Sequence, residues 1–509
     1  MDSVRSMLAV RTGPVAAIFL AACLGLWQAP VRAEDEELLD LLRDKGLITD
    51  EEHKALIERK KAKAAGAARE QEKAAAKPAE AAPTPKPAQP PPTPPSEVGG
   101  RFADGVVWES DDKRNSLRLS GRVEADYRSF LGDEALAADT FDIRRAYLGA
   151  SGKFWDHYEF QVVGDFAGLS GIPPQQSHLD EAWLTVSWWK QARFRFGQFD
   201  TPFSLDTLTS DRFTDFMERS MGSTFLAQGK SRGALVFGTP YAGVYYGLSL
   251  TNIAGKNAND TNTVSDGKDL TGRLAVNFAE LLTAPRAVYH LGGAFSSGEM
   301  PPGSSAPSAR TDARGVTFFT PSTFSGSEVD RQRRGLEAIV AWRSVKLQSE
   351  YITGRFSGTS AAGVAYDRDI ATYYTNLNWL ITGEDYASAY SGGVLGRLRP
   401  KQNFSWSGNG WGAWEVGLGY DSWDASDFPI LAVGAANPGT GVLIPTATSV
   451  PSNKASTWIL GLKWILNPNT RFLLQYTRTD FDTPVTVTSP VTTTSDVEKA
   501  VTFRAQVDF

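Results

Sequence analysis

Few residues of the chain could carry out catalytic or metal chemistry. The 509-residue sequence has one cysteine, Cys23, and four histidines, which are His53, His157, His178 and His290. No histidine belongs to a recognisable Ser/His/Asp set, and no spacing of histidines and cysteines is typical of a metal site. We therefore expect no enzyme activity, no metal and no other cofactor, and a single cysteine excludes an intramolecular disulfide.

With no catalysis or metal binding expected, the remaining candidate chemistry is ion binding by charged residues on one face of a strand. In SLRLSGRVEADYR, which spans residues 116–128, apolar and polar residues alternate, and the polar positions hold Arg118, Ser120, Arg122, Glu124, Asp126 and Arg128. A period of two is typical of a β-strand. A guanidinium group stays charged at every relevant pH and can bind an oxyanion through two N–H groups. The segment therefore predicts a strand whose polar face could meet anions.

The same alternation recurs from about Gly100 to the last residue. Examples are DHYEFQVVGDF, ARFRFGQF, GAWEVGLGYD and TWILGLKWIL, whose apolar sides are rich in aromatic rings. Long connections such as TNIAGKNANDTNTVSDGKD alternate with short ones such as AWRSVKL, as expected of an outer-membrane barrel. Because only a closed barrel leaves no strand edge facing lipid, we predict an all-β fold for residues 100–509. It is a transmembrane antiparallel β-barrel of about 16 strands, with apolar side chains toward lipid and polar ones toward a wet lumen.

The end of the chain and its net charge predict the partners. The last segment, VTFRAQVDF, ends in Phe509 and resembles the C-terminal strand that the bacterial barrel-assembly machinery reads. We therefore expect that machinery and outer-membrane lipid as partners, and the bacterial outer membrane as the location. A net charge of −6 argues against binding to nucleic acid.

The first hundred residues have a different composition. Residues 1–33 predict a signal peptide cut after Ala33, although LAAC also fits a lipoprotein box that would leave Cys23 lipidated. Residues 34–77 predict a short periplasmic helical segment, and residues 78–99 predict a proline-rich linker. The helical segment could trimerise or touch peptidoglycan, or it could be a solvated tail.

Several sequence blocks follow one another in the order typical of a known family. SGRVEADYRSF, FDIRRAYLGASGKFWDHYEFQVVGDFAG, HLDEAWLTV and RFGQFDTPFSLDTLTSDRFTDFMERSM resemble blocks of the phosphate-selective porins O and P, and the likeness continues to the terminal strand. The resemblance implies a barrel of about sixteen strands, commonly a homotrimer, whose third loop folds into the lumen. Here that loop would span about residues 200–224.

The resemblance also implies which residues line the pore. Family members place pore-lining or anion-binding residues at the positions of Arg122, Arg144, Arg145, Tyr147 and Asp180. The constriction loop would contribute Thr207, Ser210, Asp211 and Arg212. Each arginine could instead pair with a nearby carboxylate and brace the wall, and Asp180 could hold arginines in position.

The sequence departs from the phosphate-specific pattern at three positions. Glu159 and Thr207 stand where phosphate-selective members carry lysine, and Asp211 replaces a hydroxyl residue. Because these differences lower the local positive charge, phosphate specificity is weakened. We predict a water-filled channel for passive diffusion of small hydrophilic solutes and ions, general or weakly preferring anions such as phosphate. The alternative is a structural anchor that links the barrel to the periplasm or peptidoglycan and conducts little.

Overall fold

The computed structural model describes residues 101–102, 104–167, 178–260, 267–326, 329–488 and 491–509. All of them belong to one compact unit, Ser96–Phe509. The signal peptide, the helical segment and the linker predicted for residues 1–99 lie outside the described residues. None of the helices in the described part of the chain is long and apolar enough to cross a membrane.

Antiparallel strands make up most of the described chain. In chain order they are β1 (Arg101–Phe102), β2 (Val106–Glu109), β3 (Ser116–Phe130), β4 (Thr140–Phe154), β5 (Tyr158–Asp165), β6 (His178–Val186), β7 (Arg193–Asp200), β8 (Lys230–Tyr241), β9 (Val244–Asn252), β10 (Lys268–Asn277), β11 (Ala287–Met300), β12 (Ala309–Arg310), β13 (Thr317–Phe319), β14 (Val329–Trp342), β15 (Val345–Thr359), β16 (Ala365–Leu380), β17 (Tyr390–Ser391), β18 (Val394–Leu395), β19 (Ala413–Asp424), β20 (Lys454–Asn467), β21 (Thr470–Thr488) and β22 (Thr492–Asp508). Four short helical turns interrupt them, namely α1 (Leu205–Leu208), α2 (Phe278–Leu281), a π-helical turn Gly222–Leu226 and a 3₁₀ turn Tyr386–Ala389.

Sixteen of these strands close into a barrel, as the alternation predicts. They are β3–β11, β14–β16 and β19–β22, and each pairs with the next along the chain. The barrel closes where β22 pairs with β3, from Ala500 opposite Phe130 to Asp508 opposite Arg122. The β1–β2 hairpin covers the remaining part of β3, with Val106 opposite Leu119. Every wall strand therefore has a partner on both sides. No strand edge is left whose backbone N–H and C=O groups would face lipid without a hydrogen-bond partner.

The two faces of the barrel wall have the predicted orientation, as β3 shows. On β3, the side chain of Val123 is 44% exposed on the outer surface, whereas the neighbouring Arg122 and Glu124 are buried on the lumen side. Apolar side chains dominate the outer surface, including Leu148, Leu184, Leu336 and Leu460. The barrel exterior is thus suited to hydrocarbon.

The connections differ between the two ends of the barrel. Tight turns such as Arg343–Ser344 and Pro468–Asn469 lie at the end that also holds the start of β3 and the chain terminus Phe509. Short turns mark the periplasmic end of such barrels. One connection at this end is long: residues 381–412 pack Tyr386, Leu395 and Leu398 into an apolar cluster with Leu205. The pattern of loop lengths therefore has one exception, because this segment is held by apolar packing inside the barrel.

Candidate functional site

A loop between β7 and β8, residues 201–229, crosses the lumen and is called the constriction loop here. It begins with Thr201, whose backbone N–H donates to the Gly229 carbonyl over 3.0 Å, so the two ends of the loop are tied together. The turn α1 follows Ser204, which adopts a φ of 67° and accepts a hydrogen bond from Thr207 N through its Oγ. This matches the sequence prediction of an inward-folded third loop, which spans slightly more residues than expected.

Glu350 on β15 fixes the start of the constriction loop to the opposite wall. Its carboxylate accepts hydrogen bonds from the backbone N–H of Leu205 at 2.6 Å and of Asp206 at 3.0 Å, and from Ser204 Oγ at 3.1 Å. The first N–H groups of a helical turn have no partner inside the turn, so an external carboxylate satisfies them. The loop is therefore docked by an acceptor about 145 residues away in sequence.

The middle of the loop follows the wall from β19 to β21. Lys463 Nζ donates to the Thr214 carbonyl over 3.0 Å, and Gln475 Oε1 accepts from Met217 N over 3.1 Å. Phe216 packs over the wall glycines, since a Cβ at Gly419 would lie 2.5 Å from its ring. Glycine at this position is thus required by the close approach of Phe216. The loop lies against this side of the barrel and leaves the passage on the other side.

A dense ion-pair network joins the loop to β3, β4 and β22, and we call it the arginine cluster. Its members are Arg122, Glu124, Asp126, Arg128, Arg144, Arg145, Asp211, Glu218 and Arg504. Arg144 binds Glu218 through two hydrogen bonds of 2.7 and 2.8 Å. Arg145 contacts Glu124 and Asp211, each at 2.7 Å. Both acidic loop residues are therefore shared by several wall arginines.

A β-bulge lets two consecutive arginines face the same side of the wall. Glu124 lies opposite Arg145, and Ala125 lies opposite Ile143, so Arg144 is the extra residue on β4. An ideal strand would point Arg144 and Arg145 to opposite faces. A second bulge makes Asp180 the extra residue between Leu179 and Glu181 on β6.

The neighbouring arginines keep the loop carboxylates ionised. Burial opposes ionisation of Asp211, but the charges of Arg122 and Arg145 hold its pKa well below the usual value. The pKa of Glu218 is likewise held well below its usual value by Arg144 and Arg145, against the effect of burial. These pairs are buried, so their electrostatic attraction is less screened than that of surface pairs.

The passage lies between the constriction loop and the wall from β3 to β10. It contains a cavity of about 420 Å³ lined by residues of both. Among the sequence-predicted residues, Arg122, Tyr147, Asp180, Ser210, Asp211 and Arg212 line this cavity. Arg144, Arg145 and Thr207 do not belong to its lining; the first two lie in the arginine cluster, and Thr207 is buried within the loop, where its Oγ1 donates to the Ser223 carbonyl.

Two of the predicted lining residues are already engaged. The Arg122 guanidinium stacks over the Tyr147 ring at 4.3 Å and pairs with Asp211. Asp180 pairs with lysines rather than arginines: Lys256 Nζ lies 2.7 Å away, and Lys230 Nζ lies 3.6 Å away. Their charges are thus largely balanced within the protein.

Four arginines that line the same cavity form no ion pair with a carboxylate in the described part of the chain. They are Arg193 and Arg195 on β7, and Arg212 and Arg219 on the constriction loop. Arg219 donates only to the backbone carbonyls of Asp206 and Thr209, at 2.8 and 2.7 Å. The pKa of Arg212 is lowered by burial and by Arg122, which is the effect expected of incompletely balanced positive charge.

Sequence reasoning did not single out Arg193, Arg195 or Arg219 as site residues. The signal for the first two was present, because they alternate with Phe194 and Phe196 in ARFRFGQF and so share the lumen face. Glu218 carried no sequence signal, since its partners come from strands on both sides of the barrel closure.

Comparisons with known proteins show which family the chain matches and which proteins it is similar to. The family model described as phosphate-selective porin O and P matches residues 117–509. Porin O of Pseudomonas aeruginosa is 25% identical over 405 residues, which cover 74% of this chain and 86% of that protein. An anion-selective porin from Comamonas acidovorans is 14% identical, with a TM-score of 0.48, over 78% of this chain and all of that one. The outer membrane channel DcaP of Acinetobacter baumannii is 11% identical, with a TM-score of 0.45, over 79% of this chain and 99% of that one.

Proposed function

Because the chain belongs to the phosphate-selective porin O and P family, we propose that this outer-membrane channel prefers small anions and selects them beside Arg193 and Arg195. The protein is a porin and not an enzyme. Its relative from Pseudomonas aeruginosa is named porin O, and its family is described as phosphate-selective. What passes through this particular channel is decided by the charges that border its narrow part.

The main observation is that the passage is bordered by arginines that form no ion pair with a carboxylate among the described residues, whereas Arg122 and the other arginines of the arginine cluster are paired with carboxylates. Arg193, Arg195, Arg212 and Arg219 present net positive charge to a passing ion. Carboxylates at the same cavity reduce this positive charge. Lys230 lies within 4 Å of three of them, Asp180, Glu181 and Asp200, and offsets part of their negative charge. The balance supports a moderate preference for anions rather than tight binding of phosphate, since conduction requires fast release.

The test is the reversal potential of single channels in a KCl gradient. We expect Arg193→Gln/Arg195→Gln to lower the anion/cation permeability ratio by about fivefold or more, because one charge at close range changes an ion's energy by about 1 kcal/mol. The control is Arg355→Gln, because Arg355 is exposed and pairs with Asp367 away from the passage. An unchanged reversal potential in the double variant would refute the proposed role of β7.

Four further points are proposals. We propose that the protein assembles as a homotrimer, that its apolar exterior contacts outer-membrane lipid, and that the barrel-assembly machinery reads its last strand. The exposed outer side chains of Phe141, Leu336 and Phe503 support contact with lipid. The division of residues 1–99 into signal peptide, helical segment and linker is proposed on sequence alone.

A further inference from the structure

Aromatic rings support the two arginines of β7 from the side. The Arg195 guanidinium carbon lies 3.7 Å from the centre of the Trp183 ring and 4.9 Å from that of Phe237. The Arg193 guanidinium carbon lies 4.4 Å from the centre of the same Phe237 ring. Stacking on rings holds a guanidinium plane in place without neutralising its charge.

The N–H groups of these arginines are incompletely used by the protein. Arg193 Nε is buried and has no hydrogen-bond partner among the described residues. Arg195 Nε donates to Thr185 Oγ1 over 2.9 Å, and no carboxylate of the described residues forms an ion pair with this guanidinium within 4 Å. The terminal N–H groups of both guanidinium groups make no hydrogen bond among the described residues, so they can donate to an acceptor that a solute supplies.

Apolar surface adjoins this pair of cations. Phe237, Leu235, Pro202 and Leu208 line the same cavity, and Tyr245 adds a further ring. The volume of about 420 Å³ is within the range of small-molecule sites. A solute with an apolar body and one acidic group would therefore contact both kinds of surface.

Charge alone does not decide between a monoanion and a dianion at this cavity. Asp180, Glu181 and Asp200 line it together with the arginines. Attraction to the arginines and repulsion from the carboxylates both double for a dianion such as hydrogen phosphate, so the two effects oppose each other. Phosphate lacks apolar surface that could pack on Phe237.

We propose that the passage beside Arg193, Arg195 and Phe237 binds small organic anions with a planar aromatic group, of the chemical class of aromatic carboxylates. The carboxylate oxygens accept hydrogen bonds from N–H groups of the β7 arginines, and the ring packs against Phe237 and Leu235. This inference rests on the proposed anion preference and adds the class of solute.

The experiment measures block of the chloride current of the full-length protein in planar bilayers by benzoate, acetate and inorganic phosphate. We expect benzoate to have a half-blocking concentration about tenfold below that of acetate, because only benzoate has a ring to pack. Phosphate should block more weakly than benzoate. Equal block by benzoate and acetate, or strongest block by phosphate, would overturn the inference.

Variants of two phenylalanines test whether the ring of Phe237 is responsible. Phe237→Ala should raise the half-blocking concentration of benzoate by about tenfold and narrow its difference from acetate. Phe237→Leu keeps an apolar side chain of similar bulk in the wall, and it should give a smaller loss in the same direction. The matched control is Phe141→Ala, because Phe141 is 84% exposed on the outer surface. If benzoate blocks both Phe237 variants at the same concentration as the wild type, the inference is wrong.

The failure of this inference differs from the failure of the proposed function. If Arg193→Gln/Arg195→Gln shifts the reversal potential but benzoate blocks no better than acetate, the channel prefers anions without recognising their rings. If the same variant leaves the reversal potential unchanged, the anion preference itself is refuted.

Discussion

Two arginine-rich regions border the lumen, and they use the same residue type in different ways. The arginine cluster places Arg144 and Arg145 against Asp211, Glu124 and Glu218. The wall of β7 places Arg193 and Arg195 against aromatic rings instead. The first arrangement neutralises charge and holds a loop, whereas the second keeps charge available to a solute. An arginine on the lumen face is therefore a candidate for selectivity only after its partners across the lumen are known.

The largest expected effect comes from removing Glu218, which lies within 4 Å of four wall arginines. Glu218→Ala leaves those buried cations without their shared partner, and losing one member of a buried ion pair costs about 3–5 kcal/mol. We expect the constriction loop to detach and become sensitive to trypsin at Arg212 and Arg219. Glu159→Ala removes a lumen carboxylate outside the cluster and serves as the control; equal trypsin resistance of the two variants would contradict an anchoring role.

An intermediate effect is expected from pH, because a buried carboxylate without an arginine behaves differently from those of the cluster. Burial raises the pKa of Asp312, in the loop between β11 and β14, to about 6. Its folded pKa lies above its unfolded value of about 4, so its contribution to stability is complete below pH 4 and is lost as the pH rises through 6.

Thermal unfolding in detergent at pH 4 and pH 8 measures this contribution. The side chains of Asp312 and Asp421 are hydrogen-bonded, so the two carboxyl groups titrate as a pair, and loss of their proton should reduce the free energy of unfolding by an amount on the order of 2 kcal/mol between the two pH values. Asp312→Asn should remove that part of the pH dependence. Asp211 and Glu218 act with the opposite sign, because their pKa values are lowered, and they lose their contribution only in strong acid. An Asp312→Asn variant with the full wild-type difference would show that this carboxylate is not responsible.

The smallest expected effect comes from removing a carboxylate partner from the arginine cluster, so that its arginines have fewer ion pairs and come closer to those of β7. Asp211→Asn removes one negative charge at the passage and frees Arg122 and Arg145 from their shared partner. We expect the anion/cation permeability ratio to rise by about fivefold, because the change amounts to about one charge at short range. Asp367→Asn on the exposed rim provides the control. A ratio that stays constant or falls would mean that Asp211 does not face permeating ions.

Much of the candidate site could be placed from the sequence. The period of two identified which side of β3 and β7 faces the lumen, and the order of family blocks located the constriction loop. The sequence also placed Tyr147, Ser210 and Arg212 in the set that lines the cavity. The alternation alone could not reveal that Arg144 and Arg145 share one face, because a bulge shifts it by one residue without any residue type that signals the bulge; only the family resemblance implied that both face the pore.

The sequence by itself determined the barrel and its two faces. Successive side chains of a strand point to opposite faces, so the residue type at each position decides whether that face suits lipid or water. Only the tertiary structure decided which charges remain free. Arg504 meets Asp126 across 378 residues of sequence, and the constriction loop brings Glu218 to both Arg144 and Arg504. Arg193 and Arg195 keep their charge because the loop docks its acidic residues on the opposite side of the lumen, and because the neighbouring strands β6 and β8 place the rings of Trp183 and Phe237 beside them. Ion pairing depends on distances of a few ångströms between remote segments, so barrel closure and loop docking, rather than the residue types alone, set the charge of the passage.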